Sequence, residues 1–479
     1  IRETVAIITL ICAMLTTQAA LGIVVVPLEI IGRTFDVENK PGQLSWFAAA
    51  YSLTTGTFIL PSGRLGDVLG HKKLVVAGYA WTALWAMAAG LASYASTPVV
   101  FDICRGFQGV GYSLLLPNAV ALLARTTHDG HWKRALYFTC FAATAPNGFI
   151  LGACFSSLIA QFHPDRWEFA FYLAAICLAG LAVIAAGVLP SDAYLRRVHG
   201  HDEDDHDEGE RDWKSGLVKW SRLLDVPGTV LAVSGLILFN FAWNQAAVVG
   251  WQVAYNPVLL VVGLLLIGTF LYWESRHATH PLIPKTIWTT RNSIVLLCVA
   301  LGWSSFGIWN FYSVRWWIQL RGVTLLTAVA FTTPAGVAGI IAASLSVFLL
   351  SRVGPGPVML AALCAFCAAN ALLATMPIQQ TYWAQSFPSY AVAPLGMDMS
   401  FPSACLLLAS ALPQRHQGVA ASVVNTVVNY SVALGLGIAG TVESHTSGEG
   451  LVGKWEGYRA ALFLGTGLAG LGVVLALAN

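Results

Sequence analysis

The chain has 479 residues, 56% of them apolar and 10% charged, with a mean hydropathy of +0.67 and a formal net charge of +2. That is too little charge to coat a soluble globule of this size, so most of the surface must face lipid. The net charge says little about partners, but nothing in the sequence resembles a phosphate-binding glycine loop, a catalytic triad or a metal-ligand cluster. An enzyme, a cofactor, a bound metal and a nucleic-acid partner are therefore not expected.

A helix needs about 20 residues to cross the hydrocarbon of a bilayer. Fourteen apolar runs of that size follow one another at 5–26, 44–62, 74–95, 98–124, 134–160, 168–189, 225–245, 255–274, 292–313, 324–349, 356–376, 383–411, 418–441 and 458–478. The first carries Thr16, Thr17 and Gln18 and leads straight into a second span, with no small-residue cleavage site, so it reads as a membrane helix and not a signal peptide. All nine cysteines fall inside predicted helices, which argues against a disulfide framework; Cys364 and Cys367, spaced as CxxC, read as packing residues.

Between the second and third spans lies a polar loop, GRLGDVLGHKK, Gly63 to Lys73. Gly63, Gly66 and Gly70 allow a tight turn and close helix approach, and Asp67 is placed to face the end of a neighbouring helix, where a carboxylate is stabilised by free N–H groups. Arg64, His71 and Lys72 complete the loop's charged set. The fourth span contains Arg105, and a cation there costs about 2.5–3.5 kcal/mol unless paired or functional. Asp102 and Gln108, three residues to either side, can both reach it. Two readings stay open: a cavity residue that binds substrate or tunes a proton site, or an ion pair near the outer interface. In the fifth span APNGFILG, with Pro146, Asn147, Gly148 and Gly152, predicts a bend and a close neighbour, or a plain packing kink.

A hydrophilic block, HGHDEDDHDEGERDWK from His199 to Lys214, separates the sixth and seventh spans and reads as a solvated, flexible linker. The first of the two following spans ends in Trp243, Asn244 and Gln245, expected to cap it. The ninth is ring-rich, with Trp303, Phe306, Trp309, Asn310, Phe311 and Tyr312; the thirteenth presents Asn425 and Asn429 on one face. Asp398 falls near the middle of the twelfth span. In hydrocarbon an isolated carboxylate resists ionisation, so it can exchange protons near neutral pH; the alternative is an Asp satisfied by Ser400 or a neighbouring helix. Placing the amino terminus inside puts most of the 26 Lys and Arg in cytoplasmic segments, so both termini are expected there.

The expected organisation is an all-α membrane protein with 14 transmembrane helices: a six-helix bundle (1–189), an acidic cytoplasmic linker (190–224), two inserted helices with a loop (225–291) and a second six-helix bundle (292–479). This layout resembles the major facilitator superfamily, and within it the fourteen-span drug:proton antiporters. Gly63, Leu65, Asp67, Gly70 and Lys72 match that superfamily's GxLaDrxGrk signature; RGFQGVGYSLLLPNAV, Arg105 to Val120, matches its RxxQGxG signature; Ala145 to Gly152 partly matches GPxxGG. The resemblance implies a substrate site at the bilayer midplane between the halves. It also implies that Asp67 latches the cytoplasmic side against the helix beginning near Gly418. Val68 and His71 stand where the family usually has Arg, which makes the latch weaker or pH-sensitive through His71. Gln18 stands nine residues before Pro27, where such antiporters often carry an Asp, so Asp398 is the expected proton carrier, with Asp102 and Arg105 as the other coupling candidates.

Gln18, Arg105, Gln108, Pro146, Asn147, Trp309, Asn310, Asn425 and Asn429 are expected to line the cavity. The segments APLGMDMSFP, GVAASVVNTVVNYSVALGLGIAGTVE and FNFAWNQAAVVGW are similar to fungal exporters of the aminotriazole-resistance type, a group that includes boron exporters and relatives credited with ammonium transport. The implied activity is proton-coupled export of a drug, toxin or small weak acid or base such as boric acid, by a monomer in the plasma membrane or the vacuolar membrane. The alternatives are facilitated movement or uptake of a small solute such as ammonium, and a non-transporting sensor with the same fold. Replacing 199–214 by a Gly/Ser linker is expected to leave flux in vesicles within about twofold, since such chains only set reach; complete loss would give the acidic block a role of its own.

Overall fold

A computed structural model describes residues 2–95, 97–126, 131–190, 224–278, 281–410 and 417–478. Among the described residues there are fourteen helices of 20 residues or more and no strand. They are α1 (Arg2–Val25), α2 (Pro41–Leu69), α3 (His71–Leu91), α4 (Pro98–Thr126), α5 (His131–Phe162), α6 (Phe169–Val188) and α7 (Val226–Val249). After these come α8 (Tyr255–Arg276), α9 (Thr290–Arg315), α10 (Leu325–Val353), α11 (Pro355–Ala374), α12 (Ser386–Ala409), α13 (Gln417–Thr446) and α14 (Gly450–Ala478). The acidic block His199–Lys214 lies outside the described residues.

Thirteen of these helices are long and apolar enough to cross a membrane; α2 is the exception. Its Ser- and Thr-rich sequence has a physical reason, because α4, α7 and α13 enclose it and its residues are buried along most of its length. A helix shielded from lipid needs no apolar stripe on every side. Two boundaries also differ from expectation. The ninth span runs past 313 to Arg315 and on through a π-helical turn, Trp316–Leu320, because Trp316 and Trp317 are buried there. Trp243, Asn244 and Gln245 do not cap α7 but lie inside it, since the helix continues to Val249.

The packing repeats itself. In the first half α1 lies on α5, α2 on α4, and α3 on α4 and α6; in the second α9 lies on α13, α10 on α12, and α11 on α12 and α14. The halves meet along two seams of the same kind, α2 on α13 and α10 on α5. Helix α7 adds to the first seam: Asn240 Nδ2 donates to Tyr430 O (3.3 Å) and Asn244 Nδ2 to Ala433 O (3.2 Å), both on α13. Helix α8 packs chiefly on α7 and stays largely exposed.

Glycines set the closest approaches. On the α1/α5 contact, a Cβ on Gly148 would stand 2.3 Å from Leu15 O and one on Gly152 2.2 Å from Ala19 O. Any side chain there forces the two backbones apart. Gly148→Val is therefore expected to lower stability by about 1–3 kcal/mol, read as a lower melting temperature of the purified protein in detergent. An unchanged melting temperature would show that α1 and α5 can separate without cost.

Candidate functional site

Between the halves lies a cavity of about 100 Å³, walled by α1, α2, α4 and α5 from one side and α9, α12 and α13 from the other. Its lining is mostly apolar, with Trp303, Phe306, Phe311, Met397 and Phe401 prominent. The polar members are Thr17, Gln18, Ser52, Asn310, Asp398, Asn425 and Asn429. Among the lining residues Asp398 is the only charged one. It is 8% exposed, and its Oδ2 has no hydrogen-bond partner among the described residues. Ser400 does not satisfy it: the Ser400 hydroxyl accepts from Trp303 Nε1 (3.1 Å) and donates to Met397 O.

A smaller cavity of about 30 Å³ adjoins, lined by Gln18, Pro146, Trp309, Asn310 and Tyr390 among others. Trp309 donates its indole N–H to Ser389 Oγ at 2.8 Å, and its ring packs against Phe306 and Tyr390. Gly339 of α10 brings the α12 carboxylate and the α5 proline together: a Cβ there would lie 2.4 Å from Pro146 Cγ and 3.3 Å from Asp398 Oδ2. Asn147 is not in either lining and ties α5 to α10, donating to Ala143 O and to Gly336 O (3.4 Å).

Arg105, Gln108 and Asp102 also lie outside both linings. Arg105 is fully buried, donating from Nε to Phe47 O (3.2 Å), from one terminal nitrogen to Ala20 O (2.9 Å) and from the other to Gln108 Oε1, with its guanidinium over the Tyr51 ring at 4.7 Å. One side chain thus staples α4 to α1 and α2. Asp102 takes a different partner from the one its spacing offered: its Oδ2 accepts from Gln43 Nε2 at 2.9 Å.

The Gly63–Lys73 segment is mostly helix. Only Gly70 (φ +99°) turns; Gly63 and Gly66 are helical residues of α2 that admit close neighbours. At Gly66 a Cβ would strike Asn118 and His71, which share a hydrogen bond of 2.7 Å. Asp67 pairs with His71 Nε2 (3.4 Å) and Arg125 (3.8 Å), both in its own half. The early part of α13 is approached by Gly63, against Ser422. The segment 411–416 before it lies outside the described residues. Lys72 Nζ donates to Leu189 O (2.8 Å), fastening the loop to the end of α6.

One buried charged cluster, Glu29, Arg315 and Glu443 at the far end of the bundle, was absent from the sequence reading. The available signal was Arg315 within the aromatic run FYSVRWW, which a span ending at 313 assigned to a loop.

Residues 7–436 match the family described as Major Facilitator Superfamily. The chain belongs to this superfamily. It is a multi-pass membrane transporter and not an enzyme. A low affinity ammonium transporter of Saccharomyces cerevisiae is 47% identical over 464 residues, 97% of this chain and 86% of the relative. The efflux pump terJ of Aspergillus terreus is 42% identical over 472 residues, covering 98% and 87% of the two chains. The aminotriazole resistance protein of Saccharomyces cerevisiae is 33% identical over 475 residues, 99% and 83%. These relatives bear out the resemblance to fungal exporters of the aminotriazole-resistance type. A crystal structure of a mutant of the nucleoside transporter NupG aligns over 99% of both chains with a TM-score of 0.63 at 13% identity, which shows a shared fold.

Within this major facilitator chain the Arg105 geometry makes a test against a cavity role. Lys keeps the charge but is a compact point donor that cannot span carbonyls on two helices and Gln108 together. Arg105→Lys is expected to lower the melting temperature while thermal shifts produced by cavity ligands keep their size. Lost ligand shifts with unchanged stability would move Arg105 into the binding site.

Proposed function

We propose that the protein is a proton-coupled exporter of a small molecule, working by alternating access with Asp398 as the coupling group. The observation that carries this reading is Asp398: the one charged side chain of the central cavity, with an oxygen that no described residue satisfies. A carboxylate so placed is costly unless it binds a proton or a cation from the cavity. The resemblance of the chain to efflux pump terJ and the aminotriazole resistance protein supports export. In this conformation about 100 Å³ suits a solute well below drug size, since drug-sized ligands occupy roughly 300–1,000 Å³.

On this reading 1–189 and 292–479 are the two moving bundles, 225–291 an inserted pair of spans and 190–224 a cytoplasmic linker. The fourteen helices then all cross the membrane, with both termini in the cytoplasm, and the plasma membrane is the natural location for export. The energy suffices: one proton moved down about 100 mV yields roughly 2.3 kcal/mol, and each pH unit adds about 1.4. Together these sustain a gradient of several hundredfold for a neutral solute.

A second reading is conduction of a small cation such as ammonium down its own gradient. It is favoured by the cavity's chemistry, one carboxylate among the rings of Trp303, Phe306 and Phe311, which suits a cation, and by the ammonium transporter among the relatives. Proteoliposomes offered ammonium, boric acid and aminotriazole under an imposed pH gradient separate the two. Under the first reading Asp398→Asn abolishes uphill movement but preserves exchange of labelled solute, and Asp398→Glu keeps part of the uphill movement with a displaced pH optimum. Uphill movement at the parent rate in Asp398→Asn would remove Asp398 from coupling.

A further inference from the structure

At the end of the bundle opposite the Gly63–Lys73 loop, the halves are joined by a buried charged cluster. Glu29 stands in a short helix, Leu28–Thr34, that follows α1; Arg315 is the last residue of α9; Glu443 is in the final turns of α13. All three are at most 7% exposed. Arg315 Nε donates to Glu29 Oε1 at 2.9 Å, and one terminal nitrogen lies 3.7 Å from Glu443 Oε2, too far for a hydrogen bond. That nitrogen has no hydrogen-bond partner among the described residues. Glu443 Oε2 accepts instead from the Tyr312 hydroxyl at 2.7 Å.

The membership is lopsided. Only Glu29 belongs to the first half. Arg315, Glu443 and Tyr312 belong to the second, where the guanidinium also lies over the rings of Phe311 (5.0 Å) and Tyr458 (5.2 Å). Helices α1 and α9 hold equivalent places in the two halves; Glu29 comes just after the first and Arg315 ends the second, and the two side chains meet between the halves. A buried ion pair is a poor source of stability compared with apolar packing. Two carboxylates for one guanidinium, with one of them in reserve, make sense if the first contact is broken and remade.

We propose that Glu29, Arg315 and Glu443 form a partner-exchange latch that gates this end of the transporter. In the closed state Arg315 bonds Glu29. When the halves part, Glu29 leaves with its own half and gains water, while Arg315, held by the two rings, closes the 3.7 Å gap to Glu443. The cation is thereby never left unpaired, which would carry a large penalty in a dry site, and the opening step stays reversible. This rests on the alternating-access reading but not on proton coupling.

The asymmetry makes it testable. The full-length protein is reconstituted in nanodiscs and hydrogen exchange is followed by mass spectrometry in peptides covering 28–35, 311–320 and 440–458. Glu29→Gln removes the contact that opening breaks, so exchange in these peptides should accelerate by about tenfold or more, the scale of one lost charge-assisted hydrogen bond. Glu443→Gln removes the reserve partner, so the open state is penalised and exchange in 28–35 should slow below that of the parent. A purely structural cluster would loosen under both substitutions. Acceleration in both variants, or no change in Glu29→Gln, overturns the latch. Peptides from α11 serve as the internal control for folding, and neither outcome depends on how Asp398→Asn behaves.

Discussion

A polar side chain in hydrocarbon has no water to turn to, so it must find its partner within the protein. This constraint accounts for the placement of most of the buried polar side chains described above. Arg105 spends its guanidinium on carbonyls of α1 and α2 and on Gln108; Asn370 of α11 reaches Ser305 of α9 at 2.9 Å; Asn240 and Asn244 reach the backbone of α13. Each is at once a cost avoided and a contact that fixes one helix against another. Asp398 differs in its place: it is the one charged residue lining the central cavity, and its buried Oδ2 has no partner among the described residues.

The same economy shapes the seams. Within a half, glycines let backbones touch, as Gly148 and Gly152 do against α1, and such contacts resist sliding. Between the halves Gly56 of α2 does the same against the backbone of Tyr430 on α13, and side-chain contacts join it. On the α5/α10 seam Gly339 meets Pro146 and lies beside Asp398, so the coupling candidate sits where the halves meet. At one end the seam is closed by Arg315 and its two carboxylates. At the other, Asp67 pairs with His71 and Arg125 of its own half, and Gly63 of α2 approaches Ser422 of α13.

The departures from the antiporter pattern find local explanations. His71, standing in an arginine's place, is buried and bonded to Asn118, in space that Gly66 keeps clear. Gln18, in the place of the first-helix Asp, lines both cavities and touches the same chamber as Asp398. A single carboxylate in that chamber spares it the mutual repulsion that a second buried anion would bring. Helix α7 packs on both α2 and α13 at their seam, while α8 packs on α7.

Sequence alone determined the helices, their order and the family, because a lipid-crossing helix is defined by a long local run of apolar residues and the loop signatures are contiguous. Asp398 was legible as an acid within a span, and Gln18, Asn425 and Asn429 as candidate cavity groups, for the same reason: an acid or amide inside such a run is conspicuous. The chain could not say that Arg105 is turned inward to staple its own half, since spacing along one helix offers partners on that helix and is silent about carbonyls on the next. Nor could it show that Glu29, Arg315 and Glu443 meet, separated as they are by hundreds of residues and each placed near a helix end, where a charge reads as solvated. Which polar groups satisfy one another is settled by the packing of the halves, because desolvation leaves each buried charge only the partners that tertiary structure brings within reach.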